Sequence, residues 1–240
     1  MRRFFAEKLD TASDVVSLHG DEARHIYTVL RMRPGDEVLI INGEGCECSA
    51  RITEASDSSV TLEITDRQIC SADPTISVTL YQCLPKQGKM EVIIQKCVEL
   101  GVSRIVPVVS RRCVVKPEGK DTKLIRWQKV AQEAAKQCGR ARIPQIGNTE
   151  SLEKTDLSSY DAVLVAYENE GETSLKSVLR SERKLDNIAV VIGPEGGFEP
   201  AEVERMLERG GVAVSLGRRI LRTETAGMAM LAQIMYELEN

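Results

Sequence analysis

The sequence lacks any apolar run of the roughly 20 residues that a membrane-spanning helix requires. Its first residues, Met1 to Lys8, reach charged side chains before any apolar segment, which does not fit a secretory signal. We therefore expect no association with a membrane and a cytoplasmic location.

Histidine is scarce, and the cysteines do not form a recognisable pattern. His19 and His25 are too few and too oddly placed for a zinc site or a Ser-His-Asp triad. Cys46 and Cys48 lack the spacing of a zinc knuckle. The seven cysteines are odd in number and several lie in apolar stretches, as reduced core thiols do. The sequence thus predicts no metal and no disulfide framework.

The common phosphate-binding loops are also absent, since no G-x-x-x-x-G-K-[ST] motif occurs. The net charge of −4 argues against indiscriminate binding of nucleic acid, because phosphate contacts need many lysines and arginines. Two local basic clusters could nevertheless contact RNA, although charge alone leaves open a solvated basic face. The candidate RNA-binding residues in these clusters are Arg2, Arg3, Arg24, Arg31, Arg33, Arg140 and Arg142.

Residues 1–72 have the pattern of a small, mainly β domain. Short apolar segments with alternating polarity, Val38–Ile41, Cys48–Ile52 and Val60–Ile64, predict strands. Helical spacing at His25–Leu30 predicts one short helix. Together these elements favour a compact barrel.

From residue 73 onward, apolar strands alternate with amphipathic helices, which is typical of an α/β domain. Because strands such as Ala189–Ile192 are continuously apolar, we expect a parallel sheet covered by helices on both faces. A loop over 113–123 is expected to be mobile. The predicted strands are Ile76–Leu84, Arg104–Val109, Ala162–Tyr167, Ile188–Ile192 and Val212–Leu216, and the predicted helices are Met90–Leu100, Thr122–Cys138, Thr173–Ser181, Ala201–Arg209 and Thr223–Leu238.

Two loops at predicted strand ends carry the strongest functional signal. Gly193-Pro194-Glu195-Gly196-Gly197 connects a buried strand to a helix, and its glycines would let a ligand approach the backbone. The alternative is a tight connection without a ligand. Leu216–Ala226 repeats the arrangement at the next strand. Helix capping explains its threonines but not the crowding of Arg218, Arg219 and Arg222.

These loops and several other segments, in the same order along nearly the whole chain, resemble the RsmE family. Members of this family are 16S ribosomal RNA (uracil-N3)-methyltransferases of the SPOUT superfamily. Cys138 departs from the family pattern, which has serine there. The resembling segments are Met1–Phe5, His25-Ile26-x-x-Val29-Leu30-Arg31, Lys96-x-x-Glu99-Leu100-Gly101-Val102, Gln137–Pro144, Ile192–Phe198 and Leu216–Ala226.

The resemblance implies an RNA-binding PUA-like β-barrel over 1–72 and a SPOUT α/β methyltransferase domain with a trefoil knot over 73–240. It further implies a homodimer that methylates N3 of one 16S rRNA uridine near the decoding site of the small ribosomal subunit. The cofactor would be S-adenosylmethionine, without a metal. The residues that would bind the cofactor are Ala166, Tyr167, Glu168, Ile192, Gly193, Pro194, Glu195, Gly196, Leu216, Gly217, Ile220, Leu221 and Arg222.

Arg222 and Glu224 are the candidate catalytic residues, since they lie where the second loop enters the last helix. Methylation at uracil N3 requires loss of a proton and stabilisation of the charge that spreads onto the flanking carbonyl oxygens. An arginine suits the second task, and a carboxylate could accept the proton directly or through water. The alternative role for this pair is an ion pair that stabilises the loop.

Other functional classes remain open at the level of sequence. A SPOUT enzyme could act on a different RNA nucleotide. The basic N-terminal region also fits a non-catalytic RNA-binding assembly factor. A small-molecule α/β enzyme is a third possibility, but it leaves the N-terminal arginines unexplained.

Overall fold

A computed structural model describes residues 1–6, 9, 13–86, 88–115, 121–181 and 184–239. The chain forms two units, of which the first comprises Met1–Asp73 with Ala135–Ile143 and the second comprises Pro74–Ala134 with Pro144–Asn240. The boundary near residue 73 resembles the division expected from the sequence. Residues 135–143, however, belong with the first unit although they lie within the second region of the sequence.

The first unit contains a five-stranded sheet with the strand order β1-β3-β4-β5-β2. Strand β1 runs parallel to β3, and the other neighbours are antiparallel. Alternate side chains of β4 and β5 enter one apolar core, which confirms a mainly β module. Strands β1 and β2 were not predicted, since short strands give weak signals. The strands are β1 (Arg3–Phe5), β2 (Val15–His19), β3 (Glu37–Ile41), β4 (Cys46–Ala55) and β5 (Ser59–Ile69).

The helical segment of the first unit differs in extent from the prediction. An α-helix, α1 (Gly20–Arg24), runs into a π-helical turn over His25–Val29. Ile26 is completely buried and anchors the turn in the apolar core. The helix therefore begins five residues before the predicted start at His25.

The second unit is built on a parallel sheet with the strand order β12-β10-β11-β6-β7-β8, and β9 also pairs with β7. All five predicted strands and all five predicted helices occur within a few residues of their expected bounds. The short strands β8 and β9 were missed. The elements are β6 (Ser77–Cys83), α2 (Lys89–Glu99), β7 (Arg104–Val109), α3 (Asp121–Cys138, which ends in the first unit), β8 (Gln145–Ile146), β9 (Glu150–Ser151), β10 (Ala162–Ala166), α4 (Leu175–Leu179), β11 (Asn187–Ile192), α5 (Pro200–Glu208), β12 (Val212–Val214) and α6 (Thr223–Leu238).

Helices cover both faces of the parallel sheet, as its continuously apolar strands predict. On one face, α6 packs so closely that a Cβ atom at Gly227 would lie 3.6 Å from the Leu80 side chain. On the other face, Val203 of α5 joins the apolar cluster that contains Tyr81 and Val191. Burial of each large apolar side chain contributes about 1.5–3 kcal/mol, so both layers stabilise the sheet. The expected α/β fold is confirmed, whereas the knot stays a prediction.

All seven cysteines are free thiols. No helix in the described part of the chain is long and apolar enough to cross a membrane. Of the loop expected to be mobile, residues 116–120 lie outside the described residues, and 121–123 form the first turn of α3 rather than loop.

Candidate functional site

A cavity of about 530 Å³ opens at the carboxyl ends of β10, β11 and β12. These strands are neighbours in the sheet and run parallel, so the segments that follow them converge at one edge. Open α/β sheets bind ligands at this edge. The topology therefore brings together three loops that are far apart in sequence, 166–168, 192–198 and 214–223.

All thirteen predicted cofactor-binding residues line this cavity. Their contacts with a cofactor stay a prediction, but the structure brings them to one place. The sequence did not single out Lys89, which enters the same lining from the start of α2. Only the tertiary fold could reveal this lysine, since its sequence neighbours carry no ligand-binding motif.

Close packing limits the side chains that could replace the glycines of the loop 193–197, which we call the glycine loop. A Cβ atom at Gly193 would lie 3.2 Å from the Phe198 ring. Gly197 has a φ angle of +68°, and a Cβ atom there would overlap the carboxylate of Glu168. A Cβ atom at Gly196 would make only an ordinary contact with Arg112, at 3.5 Å. Gly197 is therefore the position of this loop where the backbone favours glycine, whereas the Glu168 carboxylate is the flexible end of a side chain and can move away.

A buried series of hydrogen bonds connects the loop 193–197 with the loop 216–226. We call these two segments the first and the second cofactor loop. The Thr223 hydroxyl donates to the Gly193 carbonyl at 2.6 Å, and Gln82 Nε2 donates to the same hydroxyl at 2.9 Å. Gln82 is completely buried in β6, and its Oε1 atom has no hydrogen-bond partner among the described residues. These hydrogen bonds thus fix the start of α6 against the glycine loop. Because β6 also contains Ser77 and Thr79, a polar residue at position 82 gave no distinct signal in the sequence.

Lys89 lies between two carboxylates beside the cavity. Its Nζ atom is 3.0 Å from Glu224 and 3.9 Å from Glu195. Glu224 itself is not part of the cavity lining. It is connected to the cavity by its ion pair with Lys89, which is part of the lining. The pKa of Glu224 is lowered by a hydrogen bond from its own backbone N–H and by Lys89. A lower pKa makes Glu224 a weaker base than an ordinary carboxylate.

Arg222 is the N-cap residue of α6 and lines the cavity with its side chain exposed. Its side chain makes no capping hydrogen bond. Among the described residues it also has no ion-pair partner within 4 Å, and Glu224 pairs with Lys89 instead. The guanidinium is therefore available to a ligand in the cavity.

The first unit presents most of its predicted RNA-binding arginines to solvent. Arg2, Arg24, Arg31, Arg33 and Arg142 are all exposed. Arg31 has a φ angle of 54°, a strained conformation for a residue with a side chain. Strained backbone of this kind often marks functional segments.

Two of the predicted RNA-binding arginines have structural contacts instead. Arg140 is only 2% exposed, and its Nε atom lies 3.4 Å from the Asp73 carboxylate. A phosphate could not reach a guanidinium buried in this way, so we withdraw Arg140 from the candidate surface. Arg3 is partly exposed, and its Nε atom donates to the nearly buried Glu47 at 2.8 Å. The sequence placed Arg3 in the first region but Arg140 in the second, and it could not foresee the carboxylate partner of either residue.

The cavity residues fit the cofactor that the resemblance implies. Its volume lies in the range of about 300–1,000 Å³ that small-molecule pockets occupy. Apolar side chains such as Ile192 and Leu221 can cover an adenosine, and Arg222, the lining arginine among the predicted cofactor contacts, can bind a carboxylate. No group of three or more His, Cys, Asp or Glu side chains suited to a metal occurs among the described residues. The absence of a metal stays a prediction.

Comparisons with known proteins assign both parts of the chain to families. Residues 72–235 match the RNA methyltransferase domain family. Residues 18–65 match the RNA methyltransferase PUA domain family. The first match covers most of the second unit, including the cavity, and the second lies within the first unit.

Curated relatives and solved structures agree with these matches. The Ribosomal RNA small subunit methyltransferase E of Bacillus subtilis is 36% identical over 100% of this chain and 98% of its own. The Mycobacterium tuberculosis protein of that name is 31% identical over 96% of this chain and 90% of its own. The Neisseria gonorrhoeae protein of that name, solved with bound S-adenosyl methionine, has a TM-score of 0.86 at 30% identity and covers 98% of this chain and 97% of its own. A Legionella pneumophila protein solved with the cofactor has a TM-score of 0.85 at 27% identity, covering 98% and 96%.

Proposed function

Because the chain belongs to the ribosomal RNA small subunit methyltransferase E family, we propose that it methylates 16S rRNA with S-adenosylmethionine as cofactor. The observation that carries this proposal is the cavity at three adjacent strand ends, which is lined by every residue predicted to bind the cofactor. Relatives with a similar fold have been solved with that cofactor bound.

The finer proposal is that the methylated atom is N3 of a uridine near the decoding site. When bound, the cofactor supplies a methyl group on a sulfonium, which a nucleophilic nitrogen can accept. Loss of the N3 proton leaves negative charge on the two carbonyl oxygens that flank N3. The free guanidinium of Arg222 stabilises this charge, since it is always ionised and presents a fork of donors.

For Glu224 the structure favours an indirect role. Its ion pair with Lys89 and its lowered pKa make it a poor direct acceptor of the N3 proton. We propose that ionised Glu224 holds Lys89 at the cavity, where the ammonium adds to the positive potential around the substrate. The N3 proton is then lost to water. Replacement of Glu224 by glutamine therefore lowers turnover less than loss of Arg222 does.

Methylation of purified small ribosomal subunits that lack the modification tests the proposed function. Labelled cofactor should transfer its methyl group to the 16S rRNA, and mass spectrometry of the nucleosides should identify N3-methyluridine. Label at another nucleotide would retain the enzyme class but contradict the finer proposal. Binding of RNA without cofactor binding or label would favour an assembly factor. We also propose a cytoplasmic location, because the proposed substrate is part of the ribosome.

The exposed arginines of the first unit are proposed to position the RNA through its phosphates. Joint replacement of Arg2, Arg31 and Arg33 by alanine should weaken the salt dependence of RNA binding. The magnitude of the slope of log K against log salt should fall by about 0.7 for each phosphate that is no longer bound. Filter binding to rRNA at several salt concentrations measures the slope. Arg51→Ala is the matched control, because Arg51 is exposed in the same unit but pairs with Glu37. An unchanged slope in the triple variant would show that these arginines form a solvated basic face and do not bind RNA phosphates.

A homodimer is also proposed, on the family resemblance alone. The apolar side chains of α6 add no support for a dimer, because Met230, Leu231, Ile234 and Met235 are buried within the chain itself. Light scattering at micromolar concentration should give twice the chain mass of 26.5 kDa. A mass equal to one chain would reject the dimer.

A further inference from the structure

Two adjacent arginines on the second cofactor loop are exposed and have no partner among the residues that the structure describes. Arg218 and Arg219 lie on the cavity lining, and Gly217, with a φ angle of +111°, forms the turn before them. Among the described residues, neither guanidinium makes an ion pair or a hydrogen bond. Capping of α6 does not involve either residue.

Arg112 approaches the same cavity from the loop after β7. Its Nη1 atom donates to the carbonyl of Gly196 at 3.0 Å, which ties the exposed side chain to the glycine loop. Within the part of the chain that the structure describes, Arg112 has no carboxylate partner. We call Arg112, Arg218 and Arg219 the arginine rim.

Exposed arginines elsewhere in the second unit are commonly neutralised, which sets the arginine rim apart. Arg126 pairs with Glu91, and Arg180 pairs with Glu237. Around the cavity, by contrast, the lining carries more cationic than anionic side chains, although the whole chain has a net charge of −4. A concentration of unpaired positive charge at one opening attracts an anionic ligand. The cationic lining residues are Lys89, Arg218, Arg219 and Arg222, and the anionic ones are Glu168 and Glu195.

The cofactor alone does not account for this charge, since its one carboxylate can occupy a single arginine. An RNA strand, by contrast, presents a phosphate at every nucleotide, and arginine binds phosphate with two parallel hydrogen bonds. We propose that the arginine rim binds the backbone phosphates of the RNA strand that delivers the target nucleotide into the cavity. This inference rests on the proposed function and adds an RNA contact in the second unit.

Salt-dependent RNA binding tests the inference directly. The double variant Arg218→Ala/Arg219→Ala and a labelled single-stranded RNA oligonucleotide would be compared with the wild type by fluorescence anisotropy. Removal of two arginine–phosphate interactions should reduce the magnitude of the slope of log K against log salt by about 1.4. The ratio of affinities between about 50 and 200 mM salt should then fall about sevenfold. Arg112→Ala should give a change of about half that size in the slope.

The matched control is Arg126→Ala/Arg180→Ala, which removes the same charge from exposed positions outside the cavity lining. Its slope should stay near the wild-type value. An equal change in the control would show that total charge, and not the arginine rim, determines binding, and would overturn the inference. Circular dichroism should show that both double variants fold, because none of the four side chains is buried.

Two further measurements test whether the cofactor or a second copy of the chain, rather than RNA, contacts the arginine rim. Calorimetry should show that the rim variant keeps its affinity for S-adenosylmethionine; weaker cofactor binding with an unchanged RNA slope would overturn the inference. Ile220, which is 86% exposed beside Arg219, could instead contact a second copy of the chain. A rim variant that loses dimerisation while its RNA slope is unchanged would likewise reject RNA binding at this site.

The RNA measurement does not depend on methyl transfer. A chain that shows the expected change in slope but never labels 16S rRNA would keep the arginine rim and refute the proposed function. The reverse result, labelled rRNA with an unchanged slope, would keep the function and refute the rim.

Discussion

Replacement of Arg222 by alanine is expected to lower the single-turnover rate of rRNA methylation about 100- to 1,000-fold. Loss of one donor that stabilises developing negative charge typically has an effect of this size. The fold should be unaffected, because the Arg222 side chain is exposed and makes no capping hydrogen bond to α6. The rate should be measured with saturating cofactor and small subunits, so that binding does not limit it.

Arg222→Lys and Glu224→Gln make this prediction specific. Lysine keeps the charge but not the planar fork of donors, so it should restore only part of the rate. Glu224→Gln should retain more activity than Arg222→Ala, since the lowered pKa of Glu224 makes it a poor base. If Arg222→Ala methylates at a near-normal rate, another cation such as Lys89 must stabilise the charge. A large loss of rate in Glu224→Gln, without a comparable loss in Arg222→Ala, would indicate that the Glu224 carboxylate removes the N3 proton.

Replacement of Thr223 by valine is expected to lower the free energy of unfolding by about 2–4 kcal/mol. Valine has nearly the same shape, but it removes the hydroxyl that donates to Gly193 and accepts from Gln82. Buried polar groups that lose a partner cost about 1–3 kcal/mol each. Gln82 would be left with one hydrogen bond, from Nε2 to the carbonyl of Cys83.

Urea unfolding of Thr223→Val and Thr223→Ser measures this effect. Serine keeps the hydroxyl and loses only a methyl group, so it should be much closer to the wild type. Cofactor affinity should fall in the valine variant as well, because the hydrogen bonds hold Gly193 of the cofactor loop against the start of α6. If valine and serine destabilise equally, packing of the methyl group and not hydrogen bonding determines the contribution of Thr223.

The elements of the second unit were largely predictable because their signals are local. Continuous apolar segments such as Ile188–Ile192 are typical of strands buried on both faces, and apolar spacing along 223–238 is typical of a helix. The short strand β1 was not predictable in this way. Its three residues form a strand only because β3 supplies backbone partners for them.

The cavity shows the same division between local and distant information. Glycines and a strand end identified each cofactor loop separately from its own sequence. The neighbouring positions of β12, β10 and β11 then brought the loops together, and no local pattern encodes the order of strands in a sheet. Lys89 and Gln82 join the site from other elements for the same reason.

The sequence by itself determined the α/β pattern, the mainly β first region, the two glycine-containing loops and the family resemblance. These features depend on residue type and on spacing along the chain. The tertiary structure alone decided which charged groups are paired. It buries Arg140 against Asp73, couples Glu224 to Lys89, and leaves Arg218 and Arg219 exposed at the cavity. The physical reason is that burial and ion pairing depend on distances between residues that are remote in sequence, which composition and periodicity do not specify.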